Sequence, residues 1–243
     1  MKSKQKIKLR NPSRTSEISQ RILRIFELSR NVGTNFRPLF LTYASIVIVC
    51  IGLYVASLSF PAITDVLSAS SRTPWGIVTS VFVHGGGAGH LVVNLLVLFV
   101  FLILFSVSNI NSKTRQKRAM IIFVLTTIFI VAIISNFLWV ELFPENTSSG
   151  SSGVVFAAEG VTMAFSLSNT ITTFRFGKRG GNEEKRVQAL WMLNFLVFFS
   201  IFLQIILNPR EFLNVAPNVN SFVHGTSFLT GFCLSGIWCG ARH

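Results

Sequence analysis

Four side chains that can take part in acyl-transfer chemistry lie in three separate apolar segments of the sequence. Ser152 follows Gly150 and Ser151, and His224 lies in a later apolar segment. A serine hydroxyl becomes a nucleophile when a histidine within hydrogen-bond reach takes its proton. We therefore predict Ser152 as the nucleophile and His224 as its base, with Ser151 as the alternative nucleophile.

His90 and Asn94 are the other two, and they can bind a tetrahedral oxyanion. Their i, i+4 spacing puts them on one face of a helix. The backbone N–H of Ser152 lies at the start of a predicted helix, where amides are unpaired and the dipole favours negative charge. Together these groups predict an oxyanion hole. The alternatives are structural: Ser152 as a helix N-cap, and the imidazoles and amide as hydrogen-bonding groups between helices.

The composition indicates an integral membrane protein with one compact domain. The chain has 243 residues, of which 50% are hydrophobic and only 13% charged. Soluble domains carry about 25% charged residues. The mean hydropathy is positive, +0.57. The side chains described above must therefore be positioned by membrane-spanning elements.

Six segments are apolar enough to cross a bilayer, which takes roughly 20 helical residues. They are residues 39–60, 90–107, 119–143, 152–168, 187–207 and 221–239. The predicted fold class is all-α, a polytopic bundle of six transmembrane helices. Residues 39–243 form this membrane domain, and residues 1–38 form a basic cytoplasmic arm.

The distribution of Lys and Arg predicts that both termini are cytoplasmic. Ten of the 22 basic residues lie in residues 1–37, and ten more lie after the second, fourth and sixth spans. The other loops hold only Arg72 and Arg210. Positive charge marks cytoplasmic loops. The polar side chains then lie near the outer ends of the even-numbered spans, where they must face a cavity or one another.

The net charge of +13 predicts a membrane partner and no nucleic acid. The N-terminal arm lacks interleaved aromatic residues, whereas anionic lipid attracts basic segments beside a membrane domain. The three cysteines lie in apolar runs at Cys50, Cys233 and Cys239. Because their spacing fits no metal site, neither a metal nor a cofactor is expected.

These motifs resemble those of the rhomboid family of intramembrane serine proteases. The family's GxSG motif matches residues 150–153, its HxxxN pattern matches His90 and Asn94, and the base of its sixth helix matches His224. The resemblance implies a rhomboid-like bundle and a Ser–His dyad without a cofactor. It also assigns Gly150, with the residue after it, to the oxyanion and substrate-binding wall.

The resemblance further implies an activity and a place in the cell. Its expected substrates are single-span membrane proteins, cut near the outer leaflet, and the protein is expected in the cell membrane. Residues 187–207, rich in Phe and Leu, are expected to act as a lateral gate. A pseudoprotease that binds membrane proteins without cutting them is the alternative.

Five more residues are predicted to have structural roles near the site: His84, Gly153, Phe156, Glu159 and Gly231. His84 is expected to tie the external loop to the second span, and Phe156 to stack on the catalytic imidazole. The glycines let helices approach closely; on the sixth span, Gly231 belongs to a stripe of small residues. Glu159 lies two turns below Ser152, where we favour a structural role over a third catalytic member.

The sequence departs from the family pattern in the external loop and on the sixth span. The family's loop reads Trp-Arg, whereas here Trp75 is followed by Gly76. His84 and His90 are six residues apart instead of five. Ser227 replaces the first glycine of the sixth-helix pattern, and we expect a residue of this size to preserve close packing.

Overall fold

In the computed structural model the described part of the chain consists of helices, the loops that connect them and one short hairpin. The structure describes residues 30, 32–85, 87–176, 182–210, 215–216 and 219–241. The helices are α1 Arg37–Ser59, α2 Ala62–Leu67, α3 Gly76–Thr79, a 3₁₀ turn Ser80–Phe82, α4 Gly87–Ser108, α5 Thr114–Leu142, α6 Ser152–Phe176, α7 Asn182–Leu207 and α8 Ser221–Gly240. The strands β1 Val215–Ala216 and β2 Val219–Asn220 pair antiparallel just before α8.

Five of the described helices are long and apolar enough to cross a membrane: α1, α4, α5, α6 and α7. The predicted all-helical membrane class is confirmed at this level. The sixth predicted span coincides with α8, which has 20 residues. It is not one of the five, because its His, Ser, Thr and Gly residues lower its hydropathy. Most of the basic arm, residues 1–29 and 31, lies outside the described residues.

The central helix of the bundle is α6. It packs against α4, α5, α7 and α8. In its apolar stretch 67% of the residues are buried, compared with 17% in α1 and in α7. The helix begins at Ser152 and continues to Phe176, beyond the predicted end at residue 168. Because α1 and α7 are peripheral, most of their apolar residues face outward.

Small residues let the backbones of α6 and α8 touch. A Cβ built at Gly231 would lie 2.7 Å from the carbonyl oxygen of Ala157, and one at Gly160 would overlap the carbonyl oxygen of Phe228. The predicted small-residue stripe on α8 is buried along its whole length: Ser227, Gly231, Ser235 and Cys239. The predicted close packing of this face is confirmed, and Gly160 is a contact that the sequence did not reveal.

The long loop between α1 and α4, predicted to be external, is built from α2, α3 and the 3₁₀ turn. The indole N–H of Trp75 donates to the carbonyl of Val66 at 2.7 Å, which closes α3 against α2. Gly76 lies so close to this chain segment that a Cβ would overlap the carbonyl oxygen of Ser68. The glycine that replaces the family's arginine is therefore required by the packing of this loop.

Candidate active site

Ser152 is the first residue of α6 and follows a loop that is held by backbone hydrogen bonds. Ser148 pairs with Ala69 through two such bonds of 2.8 and 2.9 Å, and the Gly150 N–H donates to the Ser80 carbonyl at 2.9 Å. Gly150 has φ +125°, a conformation that favours glycine. The first glycine of the motif is therefore needed for the backbone path that brings Ser152 to the start of the helix.

Three functional groups surround one unfilled point beside Gly150. A Cβ built at Gly150 would lie 3.8 Å from Ser152 Oγ, 3.9 Å from the Ser152 backbone nitrogen and 3.9 Å from His90 Nε2. The space is bordered by a hydroxyl, an N–H donor at a helix N-terminus, and an imidazole. The Ser152 N–H is a donor that an oxyanion in this space can use, and glycine leaves the space open.

His90 and Asn94 are hydrogen-bonded to each other on α4. The distance from Asn94 Nδ2 to His90 Nε2 is 3.1 Å. Since an amide nitrogen only donates, Nε2 accepts in this arrangement and the ring proton is on Nδ1. The amide of Asn94 carries a second N–H. The structure thus brings the predicted pair together, with the imidazole orienting the amide.

His224 lies in the first turn of α8, on the side of α6 that carries Ser152. Its ring stacks on Phe156, with centroids 4.2 Å apart and an interplanar angle of 16°. Phe156 is one helical turn after Ser152, so the imidazole faces the same side of α6 as the hydroxyl. Ser152 and His224 are each 8% exposed. The predicted stacking is confirmed.

Ser151 contacts a different histidine. Its Oγ lies 3.1 Å from His84 Nε2, and its backbone N–H donates to the same atom at 3.5 Å. Burial, together with the neighbouring His90, lowers the pKa of His84 to about 4, which makes it a weak base. His84 therefore binds the loop before Ser152, residues 148–151, which we call the serine loop. Its ring also lies 6.0 Å from that of His90 on α4, and the role of tying the external loop to the second span stays a prediction. With an exposure of 1%, Ser151 is poorly placed to attack a substrate.

The remaining predicted residues lie below the serine. A Cβ at Gly153 would lie 3.2 Å from Val223 Cγ1 and 3.5 Å from Ser227 Oγ, so this glycine admits the first turn of α8. Glu159 is 1% exposed on the buried face of α6. Ser227 donates to Ser135 on α5 at 3.0 Å. Within the described residues, no group of three or more His, Cys, Asp or Glu side chains could hold a metal.

A cavity of ≈ 440 Å³ lies between α4 and α7. Its lining comes from α4 at Leu96, Val97, Val100, Phe101 and Leu104, and from α7 at Leu196, Val197, Ser200, Ile201 and Gln204. The lining is mostly apolar, and it begins two residues after Asn94. The two helices are therefore loosely packed close to the oxyanion pair.

Sequence reasoning did not single out the polar residues that connect the loops around the site: Ser80, Asn136, Ser148 and Asn220. They are joined by side-chain hydrogen bonds of 3.0 to 3.1 Å. One signal was available, since Asn136 lies inside an apolar span, where polar residues usually have partners. The loop residues carried no such signal.

The comparisons with known proteins identify the family of the chain. The Rhomboid domain model matches residues 71–241, more than half of the chain and every residue of the site. The chain belongs to the rhomboid family. No curated protein and no solved structure compared with the chain matches it.

Proposed function

We propose that the protein is an intramembrane serine endopeptidase that cleaves membrane proteins near the outer leaflet. The observation that carries the proposal is the unfilled point beside Gly150, 3.8 Å from Ser152 Oγ and 3.9 Å from both the Ser152 nitrogen and His90 Nε2. A nucleophile and a main-chain donor that border one small space can act on one carbonyl group.

In this mechanism the first step is acylation of Ser152. His224 takes the hydroxyl proton as Oγ attacks the scissile carbonyl carbon, and the carbonyl oxygen becomes an oxyanion. The protonated imidazole then gives its proton to the leaving amine, which releases the C-terminal fragment. Water attacks the acyl-enzyme with His224 again as base, and the second fragment leaves as a carboxylic acid.

The oxyanion is held by the Ser152 N–H and by the second N–H of Asn94. The first N–H of Asn94 is used on His90, so His90 acts on the oxyanion through the amide that it orients. Both donors are fixed before the reaction begins, which is the condition under which such groups stabilise a transition state strongly. Asn94 is therefore the more important of the pair.

The proposed topology has six membrane spans, with α8 as the sixth and both termini in the cytoplasm. The basic loops support this orientation. Although α8 is less apolar than the others, it packs closely on the central helix α6, so its polar face contacts protein instead of lipid. The outer ends of α4, α6 and α8 then carry the site, and the basic arm contacts anionic lipid.

Single-span membrane proteins are the proposed substrates, admitted between α4 and α7. The cavity of ≈ 440 Å³ between these helices supports this path, as does the low burial of α7. A bilayer segment that moves along this cleft passes the turn of α4 that carries Asn94. Its scissile bond reaches the serine without first leaving the membrane.

A fluorophosphonate probe tests the proposal, because it reacts only with an activated serine. We expect the purified protein and its Ser151→Ala variant to be labelled, and the Ser152→Ala and His224→Ala variants to remain unlabelled. Labelling that disappears in Ser151→Ala would instead assign the reaction to the Ser151–His84 pair. A folded preparation that never reacts would favour the pseudoprotease.

A further inference from the structure

A chain of side-chain hydrogen bonds runs across the outer side of the bundle, and all of its bonds have the same direction. Asn220 Nδ2 donates to Ser148 Oγ at 3.0 Å. Ser148 Oγ donates to Asn136 Oδ1 at 3.1 Å. Asn136 Nδ2 donates to Ser80 Oγ at 3.0 Å. The chain connects α8, the serine loop, α5 and the external loop. We call it the Asn136 chain.

Both ends of the Asn136 chain reach the reacting residues through the backbone. At one end, Asn220 Oδ1 accepts the N–H of Val223 at 3.0 Å, which caps α8 one residue before His224. At the other end, the carbonyl of Ser80 accepts the N–H of Gly150 at 2.9 Å, two residues before Ser152. One connected set of bonds therefore reaches both the nucleophile and the base.

The Asn136 chain is well suited to transmit position. Ser80, Asn136 and Ser148 are 1%, 3% and 7% exposed, so water is a poor substitute for their partners. Hydrogen bonds that follow one another in a low dielectric reinforce each other. Asn136 uses its oxygen toward one loop and its nitrogen toward the other, which fixes the orientation of its amide.

The outer ends of α6 and α8 need such a connection. The backbone contacts at Gly160 and Gly231 fix these helices below the site. Ser152 and His224, however, lie in their first turns, and each turn follows a separate loop. A small displacement of either loop changes the geometry of proton transfer without disturbing the contacts deeper in the bundle.

We propose that Asn136 is a positioning residue, whose amide holds the serine loop and the start of α8 in register so that Ser152 and His224 keep their reacting geometry. The physical coupling stands on the hydrogen bonds alone. Its effect on catalysis rests on the proposed protease function. Asn136 touches neither reacting residue and acts through Ser148, Asn220 and Ser80.

The test compares Asn136→Leu and Ser148→Ala with Asn169→Leu. Asn169 on α6 donates to the Ser108 carbonyl and to Asn109 Oδ1, both at 3.2 Å, so its loss also removes amide bonds between elements, but away from the serine loop. Ser148→Ala removes only a hydroxyl and leaves the backbone pairing with Ala69 in place, which keeps the test valid if Asn136→Leu does not fold.

The first measurement is the rate of fluorophosphonate labelling at Ser152, with the unfolding midpoint of each variant measured beside it. We expect labelling to slow by about tenfold or more in both chain variants, because small misplacements of reacting groups have effects of this size. Asn169→Leu should lower the midpoint without slowing the labelling. The Ser148→Thr variant keeps the hydroxyl and should therefore label at the wild-type rate.

The second measurement is hydrogen exchange at the Gly150 and Val223 amides, which does not depend on activity. In Ser148→Ala we expect about fivefold faster exchange at both amides, and no change in Asn169→Leu. If the wild-type protein is never labelled, the protease proposal fails. Hydrogen exchange at the two amides still tests whether the Asn136 chain couples the serine loop to the start of α8. Wild-type labelling rates in both chain variants, or unchanged exchange, would overturn the positioning role.

Discussion

The imidazole of His224 lies almost flat on the ring of Phe156, with centroids 4.2 Å apart and planes 16° from parallel. One face of the base is thereby covered by a side chain from the same helix as the nucleophile. The ring nitrogens can then approach a partner only along the plane of the ring. Phe156 thus sets the orientation of the proposed base relative to Ser152.

We expect Phe156→Leu to lower kcat by about fivefold, because an aromatic pair contributes ~1 kcal/mol beyond the area that it buries. KM should change little, and Phe156→Tyr should keep the wild-type rate. Cleavage kinetics in detergent measure both constants. Phe165→Leu is the control, since Phe165 is a buried aromatic residue on the same helix that contacts Phe105 edge to face. Equal losses of kcat in the two leucine variants would contradict an orienting role.

Gly150→Ala is expected to abolish cleavage, with a loss of more than about a hundredfold. Its Cβ would enter the space beside Ser152 and His90, and φ is +125° there. Gly87→Ala is the matched control, because Gly87 also has a positive φ, +80°, but nothing lies within 4 Å of its Cβ position. Both changes should lower stability by about 1–2 kcal/mol. An active Gly150→Ala enzyme would place the oxyanion elsewhere.

Gly231→Ala should destabilise the protein by about 1–3 kcal/mol or more through overpacking. The new methyl group would lie 2.7 Å from the Ala157 carbonyl oxygen, so α8 would have to move away from α6. Gly236→Ala, on the same helix with nothing within 4 Å, should be neutral or stabilising, because alanine favours helices. Unfolding midpoints in detergent compare the two. The same midpoint in both variants would argue against backbone contact.

The free energy of unfolding should fall as the pH decreases from about 6.5 to about 4, the two pKa values of His84 in the unfolded and folded states. In this window the unfolded chain binds a proton that the folded protein does not. His84 should contribute about 3 kcal/mol to this loss. Denaturant titrations of the wild type and His84→Gln at several pH values measure the difference. If His84→Gln lost as much unfolding free energy between these two pH values as the wild type does, His84 would be excluded as the source of the loss.

A related prediction concerns the neighbouring histidine. The charge of His90 is one of the causes that lower the pKa of His84. His90→Ala should therefore raise the pKa of His84 in the folded protein, so that the loss of stability ends at a higher pH. The same titrations test this, because the midpoint of the pH dependence should move toward neutral pH. An unmoved midpoint would leave burial as the sole cause.

The local pattern of the sequence was sufficient to predict the long helices and the main side chains of the candidate site. Hydrophobic runs marked the long helices, and the start of α6 at Ser152 follows from a Gly/Ser segment that ends in an apolar run. These features depend on residues that are close together in the chain or on one helix. The stacking of Phe156 on His224, which joins two helices, was expected from the resemblance to the rhomboid family.

Other features were not predictable, because they depend on contacts between distant segments. The need for Gly76 arises from the Ser68 carbonyl, and nothing in the local pattern indicates this approach. Ser151 was expected as the alternative nucleophile or in the oxyanion and substrate-binding wall, and nothing in the local pattern indicated its contact with His84. The helix α6 continues to Phe176 because polar residues can extend a helix beyond the apolar stretch that marks it.

The contact of Gly160 and Gly231 with the facing backbones has a mechanical consequence. It holds the two helices that carry Ser152 and His224 rigidly together, whereas only 17% of the apolar stretch of α7 is buried. We expect α7 to move when a substrate segment arrives from the bilayer, and α6 and α8 to keep their relative positions. The proposed reaction centre is then in place before the substrate binds, and the movement of α7 leaves the geometry of Ser152 and His224 unchanged.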